Sequence, residues 1–190
     1  MKVTETILPG VFIIEPRTFH DSRGFFCETF HAERYEQFGI KEKFIQDNFS
    51  SSVKNVVRGL HYQIKHAQGK LVFVTYGHVV DVVLDIRVGS PTFGKAITIE
   101  LSDQNNRQIF IPAGLAHGFC VLSDRADFLY KCTDYYNPGS EFGIRWDDPD
   151  LQIPWPRIEK PIVSTKDSAS LCLKDIPEKQ LPIYQKNKDT

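Results

Sequence analysis

Period-two alternation of apolar residues over short segments is the feature that most limits how this chain can fold. The run Val80–Arg87 places four aliphatic residues on one face of a strand and most of its polar residues on the other. Ile97–Leu101 and Phe128–Cys132 alternate in the same way. Gly, Pro, Asn and Asp clusters separate these runs, for example at Gly89–Pro91 and Asn137–Gly139. Short alternating strands at this spacing predict an all-β sandwich or barrel.

The polar face of Val80–Arg87 allows two interpretations. If Asp81, Asp85 and Arg87 point into a barrel, they line a wet cavity. If they point to solvent, the segment is an ordinary half-exposed strand. Periodicity does not distinguish the two.

Helices are expected to be short and peripheral. His31–Phe38 has the helical spacing, and Gly39 is a plausible C-terminal stop. A second short helix is predicted around Lys166–Leu173.

Composition places the chain among globular proteins. Its 190 residues, 41% apolar and 25% charged, fit one domain with a core. A net charge of −1 argues against nonspecific nucleic-acid binding. The apolar runs are too short to span a bilayer and the first residues lack an apolar signal region, so no membrane association and a cytoplasmic location are expected.

Cysteine spacing predicts free thiols. None of Cys27, Cys120, Cys132 and Cys172 belongs to a C-x-x-C pair, which gives little support to a zinc site or a disulfide framework.

The segment Arg58–Gln63, followed by Gly69-Lys70, combines a titratable imidazole with two cations beside glycines. His61 can take and return a proton near neutral pH, and the ammonium of Lys70 can hold an oxyanion. These groups suit proton transfer beside the carbonyl of an anionic substrate. A lone histidine is nevertheless more often structural than catalytic.

The segment Pro112–His117 reads P-x-G-x-x-H, which resembles the second signature of cupins, where this histidine often binds a metal. The stretch that corresponds to the first signature, His61–Gln63, has no glutamate nearby. A catalytic metal normally needs three protein ligands. The pattern therefore predicts a cupin-like shape with metal-free acid–base chemistry.

Two further residues each have a functional and a structural interpretation. Tyr130 can donate a proton from the side opposite a histidine, or it can fill the core. Asp167 can fix the ring of His61 through a hydrogen bond, or it can be a solvated carboxylate at the start of a helix.

A third group suggests a nucleotide diphosphate ligand. Cations supply anion contacts, an aromatic ring offers a surface to a base, and polar groups bind ring edges and hydroxyls. These residues are Arg23, Arg58 and Lys70, then Phe26, then Glu28, Gln46 and Asn48.

Seven blocks in order then resemble one family. They read RGLHYQ, AQGKLV, DVVLDIR with GSPTFG, IPAGLAHGF, FLYKCT, IRWDDP and STKD. From about residue 3 to about residue 176 the chain is similar to dTDP-4-dehydrorhamnose 3,5-epimerases, isomerases of nucleotide-sugar synthesis for lipopolysaccharide.

The resemblance implies a cupin-like jelly-roll barrel with short peripheral helices, a homodimer, no metal and no cofactor. It implies one domain over residues 1–190, with an N-terminal arm of about 1–50 and a C-terminal segment of about 157–190. The expected reaction is 3,5-epimerisation of a dTDP-linked 4-keto-6-deoxyhexose.

By the same resemblance, His61 matches the general base, Asp167 its partner, Tyr130 the acid and Lys70 the enolate stabiliser. The positions that match contacts to nucleotide, diphosphate or sugar are Arg23, Glu28, Gln46, Asp47, Asn48, Arg58, His117, Glu141 and Lys166. Tyr136 is a further candidate to stack on the nucleotide. The segment that carries Arg23 and Glu28 is expected to reach the site of a partner subunit.

One departure is Phe73, where family members commonly carry arginine, and it could alter contacts in the cavity or at the dimer seam. Four alternatives stay open: a single-centre epimerase, a 3,4-ketoisomerase, a metal-dependent cupin and a non-catalytic sugar-binding cupin.

Overall fold

A computed structural model describes residues 1–185 of the chain. The last five residues of the predicted C-terminal segment, 186–190, lie outside the described part. The strands are β1 Lys2–Glu5, β2 Phe12–Glu15, β3 Thr18–Asp21, β4 Gly24–Cys27, β5 Gln46–Val53, β6 Val56–Gln63, β7 Lys70–Tyr76, β8 His78–Asp85, β9 Ala96–Ser102, β10 Gln108–Ile111, β11 Leu115–Val121, β12 Arg125–Cys132, β13 Glu141–Gly143 and β14 Ile162–Val163. The helices are α1 Ala32–Glu36 and α2 Thr165–Ser168, with 3-10 turns at Pro138–Ser140, Leu173–Asp175 and Glu178–Gln180.

Two antiparallel sheets form the barrel. The first has the order β1-β2-β10-β7-β12-β5, and the second has the order β13-β6-β11-β8-β9 with β14 parallel to β6. β3 and β4 form a separate hairpin. From β5 to β13 consecutive strands alternate between the sheets except at the β8–β9 hairpin, as in a cupin-like jelly roll. The predicted all-β fold with short peripheral helices is confirmed.

Within residues 1–185 the core has three clusters. One of them, with Tyr35 and Leu71, packs α1 against the first sheet, and the other two lie on either side of the second sheet. One cluster fills the barrel between the sheets and includes Val79, Val83 and Phe128. Another covers the outer face of the second sheet, where Val82 and Leu84 pack with residues of the C-terminal half. β8 is therefore buried on both faces, and each fully buried aliphatic side chain contributes about 1.5–3 kcal/mol.

This burial decides between the two interpretations of Val80–Arg87. The aliphatic face points outward under the second cluster, and the polar face points inward, with Asp81 fully buried. The interpretation of a shared wet cavity does not hold for Asp85 and Arg87, which do not line the cavity between the sheets. They form a buried ion pair of 2.8 Å, and the Asp85 carboxylate also accepts from the hydroxyls of Ser90 and Thr92.

Both helices are shorter than predicted. α1 ends at Glu36, although turn hydrogen bonds continue to Gly39, whose φ of +87° fits the predicted glycine stop. α2 is a single turn that ends at Ser168, because the chain then bridges to the second sheet through Leu171 and Ile144. The predicted helix to Leu173 is therefore wrong beyond the first turn.

The N-terminal segment is partly integral to the barrel, since β1 and β2 extend the first sheet. The β3–β4 hairpin carries the exposed side chain of Phe26, of which 68% is accessible. The four cysteines are free thiols, as predicted. Within residues 1–185, none of the helices has the length and apolar character needed to cross a membrane.

Candidate active site

A cavity of about 530 Å³ opens between the two sheets. Its walls come from β6 and β11 on one side and from β5, β7 and β12 on the other, with α2 at the rim. Nine of the predicted site residues line it. They are Arg58, His61, Lys70, His117, Tyr130, Tyr136, Glu141, Lys166 and Asp167.

Two glycines bring β6 and β11 unusually close. A Cβ on Gly59 would meet the carbonyl oxygen of His117 at 2.6 Å, and one on Gly118 would meet the carbonyl oxygen of Arg58 at 2.4 Å. Gly59 also has a φ of +105°, which favours glycine. The register shifts here, and His117 lies opposite His61. Gly59 therefore lies inside β6 and not in a turn at its end.

His61 and Asp167 form a hydrogen-bonded pair. The ring Nε2 lies 2.6 Å from Oδ1 of Asp167, and Oδ2 accepts from the backbone N–H of Gly59 at 3.2 Å. Ser164 caps α2 by accepting from the backbone N–H of Asp167, which fixes the carboxylate in the third helical position.

The environment of Asp167 keeps it ionised. Burial raises the pKa of this carboxyl, but the hydrogen bond and charge of His61, with the N–H of Gly59, lower the pKa overall. A carboxylate that accepts from Nε2–H leaves the lone pair of a neutral ring on Nδ1. The nitrogen available as a base is therefore Nδ1.

Lys70 and Tyr130 stand on the other sheet. Lys70 pairs with Cys132 and Tyr130 with Val72 across adjacent strands, which places both side chains on the inner face. Burial lowers the pKa of Lys70, while Glu141 and Asp81 act in the opposite direction. Burial raises the pKa of Tyr130 to about 12. The phenol is therefore protonated at neutral pH and can act as a proton donor.

A polar cluster at the rim joins β13 to α2. Oε2 of Glu141 accepts from the hydroxyl of Tyr136 at 2.9 Å and from the ammonium of Lys166. Oε1 of Glu141 lies 4.0 Å from Nδ1 of His61. Burial raises the pKa of Glu141, yet Lys166, His61 and Tyr136 lower it overall.

The amides on β5 adjoin this rim. Gln46 accepts from the backbone N–H of Tyr136 at 2.9 Å and donates to Asn48 at 3.1 Å. Arg58 donates from Nε to the hydroxyl of Ser52 at 3.1 Å, which orients its guanidinium along the wall.

Six predicted site residues do not line the cavity of this chain: Gln46 and Asn48, which adjoin its rim, and four that lie away from it. Arg23 pairs with Asp21, Glu28 pairs with Arg34, and Phe26 lies on the exposed hairpin. Asp47 points to the outer face of the first sheet, where it pairs with Lys131 at 2.9 Å. Asp47 therefore does not line the cavity of this chain.

Phe73 lies outside the cavity. Lys70 and Val72 face inward, so Phe73 faces outward, where its register neighbours are Leu129 and then Phe49 on β5. The residue that departs from the family pattern therefore belongs to an outer surface of the first sheet.

Sequence reasoning missed Asp81 as a site residue. Its Oδ2 lies 2.8 Å from Nε2 of His117, which is 7% exposed and lines the cavity. The inward polar face of β8 was the available signal. Within residues 1–185, no group of three or more His, Cys, Asp and Glu side chains converges as metal ligands would.

Comparisons with known proteins agree with this arrangement. Residues 5–175 match the family model for dTDP-4-dehydrorhamnose 3,5-epimerase. A protein of that description from Pseudomonas aeruginosa is 52% identical over 168 residues, which cover 88% of this chain and 93% of the relative.

Solved structures indicate the same family. The dTDP-6-deoxy-D-glucose-3,5-epimerase of Legionella pneumophila, in complex with dTDP-4-keto-L-rhamnose, is 53% identical with a TM-score of 0.95, covering 97% of this chain and 99% of that one. ChmJ, a 3′-monoepimerase from Streptomyces bikiniensis in complex with dTDP-quinovose, is 32% identical with a TM-score of 0.89, covering 94% and 92%. The chain therefore belongs to the dTDP-4-dehydrorhamnose 3,5-epimerase family of isomerases.

Proposed function

We propose that this enzyme inverts C3 and C5 of dTDP-4-dehydro-6-deoxy-D-glucose to give dTDP-4-dehydro-L-rhamnose, without a metal or cofactor. The observation that carries the proposal is that His61 and Tyr130 line one cavity from opposite sheets, with Lys70 beside them. Inversion requires a base on one side of a carbon and an acid on the other.

The chemistry follows from the C4 ketone. C3 and C5 both adjoin it, so loss of either proton gives an enolate whose charge rests on the C4 oxygen. Nδ1 of His61 takes the proton, and the ammonium of Lys70 stabilises the oxygen. The hydroxyl of Tyr130 returns a proton to the opposite side of the same carbon. A positioned acid or base contributes about 10²–10⁴-fold, and an oxyanion donor about 10²–10³-fold.

Binding of the nucleotide is assigned to the rim. Arg58 and Lys166 are cations at the cavity mouth and suit a diphosphate, while Gln46, Asn48 and Tyr136 suit the base. The relative with bound dTDP-4-keto-L-rhamnose supports a ligand of this class.

A homodimer is part of the proposal. Phe49, Leu129 and Phe73 form a cross-strand row on the outer face of the first sheet, and Phe49 is 62% exposed. An exposed apolar row of this kind is typical of a protein interface. Arg23, Phe26 and Glu28, on and beside the β3–β4 hairpin, would then contact substrate in the neighbouring subunit.

A single-centre epimerase is the second candidate, because the similar ChmJ is described as a 3′-monoepimerase. Both are tested by incubating the enzyme with dTDP-4-keto-6-deoxyglucose in D₂O and following C3 and C5 by NMR. Deuterium and inversion at both carbons support the proposal, and at C3 alone they support the second candidate. Deuterium at neither carbon would falsify both.

Tyr130→Phe tests the acid. We expect solvent exchange to continue while inversion falls by about 10²–10⁴-fold, because only the return of the proton to the opposite side is lost. The control is Tyr62→Phe, which removes a buried hydroxyl that has no hydrogen-bond partner among the described residues. Inversion by Tyr130→Phe at the rate of the control contradicts the assignment.

A further inference from the structure

A second imidazole–carboxylate pair lies at the cavity wall, where His117 on β11 lines the cavity and Asp81 on β8 is buried behind it. Oδ2 of Asp81 lies 2.8 Å from Nε2 of His117, and the carboxylate is fully buried. The imidazole stacks on Phe128 with ring centroids 6.1 Å apart and planes 25° apart. The pair is therefore held in one orientation from two sides.

Core packing does not explain this carboxylate. Its neighbours on the inner face of β8 are Val79 and Val83, both fully buried, and a valine would suit that face. The second carboxylate oxygen, Oδ1, has no hydrogen-bond partner among residues 1–185. A buried carboxylate with an unpaired oxygen is destabilising, so the residue is better explained by what it does to His117.

His117 lies next to the residues that are proposed to carry out the reaction. Its backbone is the cross-strand partner of His61, and its ring lines the same cavity. Burial lowers the pKa of His117, and Lys70 and His61 lower it further against the opposing effect of Asp81. The ring is therefore neutral at pH 7, and its state is defined by which nitrogen holds the proton.

We propose that Asp81 is a positioning residue that holds His117 as the Nε2–H tautomer, so that Nδ1 accepts a hydrogen bond from the C2 hydroxyl of the bound sugar. An ionised carboxylate can only accept, so the proton must lie on Nε2. The unprotonated Nδ1 can then accept a hydrogen bond from a hydroxyl. It cannot bind a carbonyl or phosphate oxygen in this way, because such an oxygen has no proton to donate. This inference rests on the proposed function.

The choice of hydroxyl follows from the reaction. A 4-keto-6-deoxyhexose has ring hydroxyls on C2 and C3, and the one on C3 changes sides when C3 inverts. A fixed acceptor in the wall can serve only the hydroxyl that keeps its position, which is the one on C2. His117 thereby holds the ring still while its neighbour inverts.

The first measurement is the tautomer in the free enzyme, read by NMR of nitrogen-15-labelled histidine. We expect the His117 proton on Nε2 alone in the wild type and a mixture of the Nε2–H and Nδ1–H tautomers in Asp81→Asn, because the amide can either accept from Nε2–H or donate to Nε2. The matched control is Asp148→Asn, a buried aspartate that accepts from the backbone N–H groups of Leu173 and Asp150. An unchanged His117 tautomer in Asp81→Asn overturns the inference.

The second measurement is kcat/KM on the substrate and on its 2-deoxy analogue. We expect the wild type and Asp148→Asn to prefer the hydroxylated sugar by about 10- to 100-fold, and Asp81→Asn to lose that preference. Equal preference in Asp81→Asn and the wild type overturns the inference. Because the tautomer is read without turnover, failure of the inference and failure of the proposed epimerisation are distinguishable.

A second pair of variants covers the case that Asp81→Asn does not fold. His117→Gln can donate to Asp81 through its amide nitrogen and offer its oxygen to the cavity, whereas His117→Met can do neither. We expect the preference for the 2-hydroxyl to persist in His117→Gln and to vanish in His117→Met. Its persistence in both, or its loss in both, overturns the inference.

Discussion

Asp167→Asn is the sharpest test of the proposed base, because the structure defines what the substitution removes. Asp167 accepts two hydrogen bonds, from Nε2 of His61 at 2.6 Å and from the N–H of Gly59 at 3.2 Å. Asparagine has one acceptor oxygen. If that oxygen keeps the Gly59 N–H, the amide donates to Nε2 and moves the ring proton to Nδ1. The lone pair is then removed from the nitrogen that faces the substrate.

The magnitude follows from the charge that develops on the ring. When His61 takes a proton, a full charge forms 2.6 Å from the carboxylate, an attraction of about 6 kcal/mol at an effective dielectric constant of about 20. The imidazole is 29% exposed, so solvent replaces part of this attraction. If about half is specific to the transition state, about 3 kcal/mol is lost. We expect kcat to fall by about 10²-fold, and further where the tautomer changes.

The assay is the initial rate of deuterium incorporation at C3 and C5 in D₂O, which reports proton removal whether or not inversion follows. Asp148→Asn is again the control, because it makes the same chemical change at a buried aspartate outside the cavity. Exchange by Asp167→Asn within about threefold of the wild type corresponds to less than about 1 kcal/mol and refutes the role of the pair. A loss equal to that of the control assigns the effect to folding.

Two further predictions concern Lys70 and the outer surface. Burial lowers the pKa of Lys70 below the usual 10.5, and the ammonium is the form that stabilises the enolate. We therefore expect kcat/KM to fall as the pH rises through this lowered pKa. Tyr130 deprotonates at higher pH, because its pKa is raised to about 12. In Lys70→Arg the side chain stays charged, so this alkaline limb should disappear from the pH profile, and its persistence contradicts the assignment. Phe49→Glu should convert the proposed homodimer to a monomer in sedimentation or light scattering, since it places a charge in the apolar row of Phe49, Leu129 and Phe73. The exposed Glu33→Gln should leave the assembly unchanged, and a Phe49→Glu dimer of wild-type stability argues against this interface.

The alternating runs Ile97–Leu101 and Phe128–Cys132 predicted β9 and β12, because burial alternates along most of these two strands. The sequence predicted the sides of β8 poorly because that strand is buried on both faces. The outer cover comes from residues far along the chain, such as Trp155 and Leu173, and periodicity contains no information about them. For the same reason Asp81 could not be assigned to the cavity before its neighbours were known.

Contacts between site residues that are far apart in the sequence are also difficult to predict from local patterns. His61 and Asp167 are separated by 106 positions, and no local pattern predicts that they meet. The ordered blocks shared with a family supplied that expectation. The roles of these residues, the homodimer and the single-domain organisation with its N-terminal arm stay predictions. The hairpin residues Arg23 and Phe26 cannot be placed at a site by one chain, because the expected site belongs to another subunit.

Burial in this barrel favours the uncharged form of each titratable group inside it. The carboxylates oppose this effect on the basic groups that they contact. Asp167 and Asp81 each bind the Nε2 of one histidine, and Glu141 binds Lys166 at the rim. The first two pairs use the same ring nitrogen, so both neutral imidazoles turn an acceptor, Nδ1, away from their carboxylates. The two pairs differ in exposure: the His117 side chain is 7% exposed, whereas the His61 side chain is 29% exposed and Glu141 lies 4.0 Å from its Nδ1. Burial lowers the pKa of His117 and so opposes its protonation. Two similar pairs on neighbouring strands are thereby suited to different tasks, proton removal by the first and orientation of the sugar by the second.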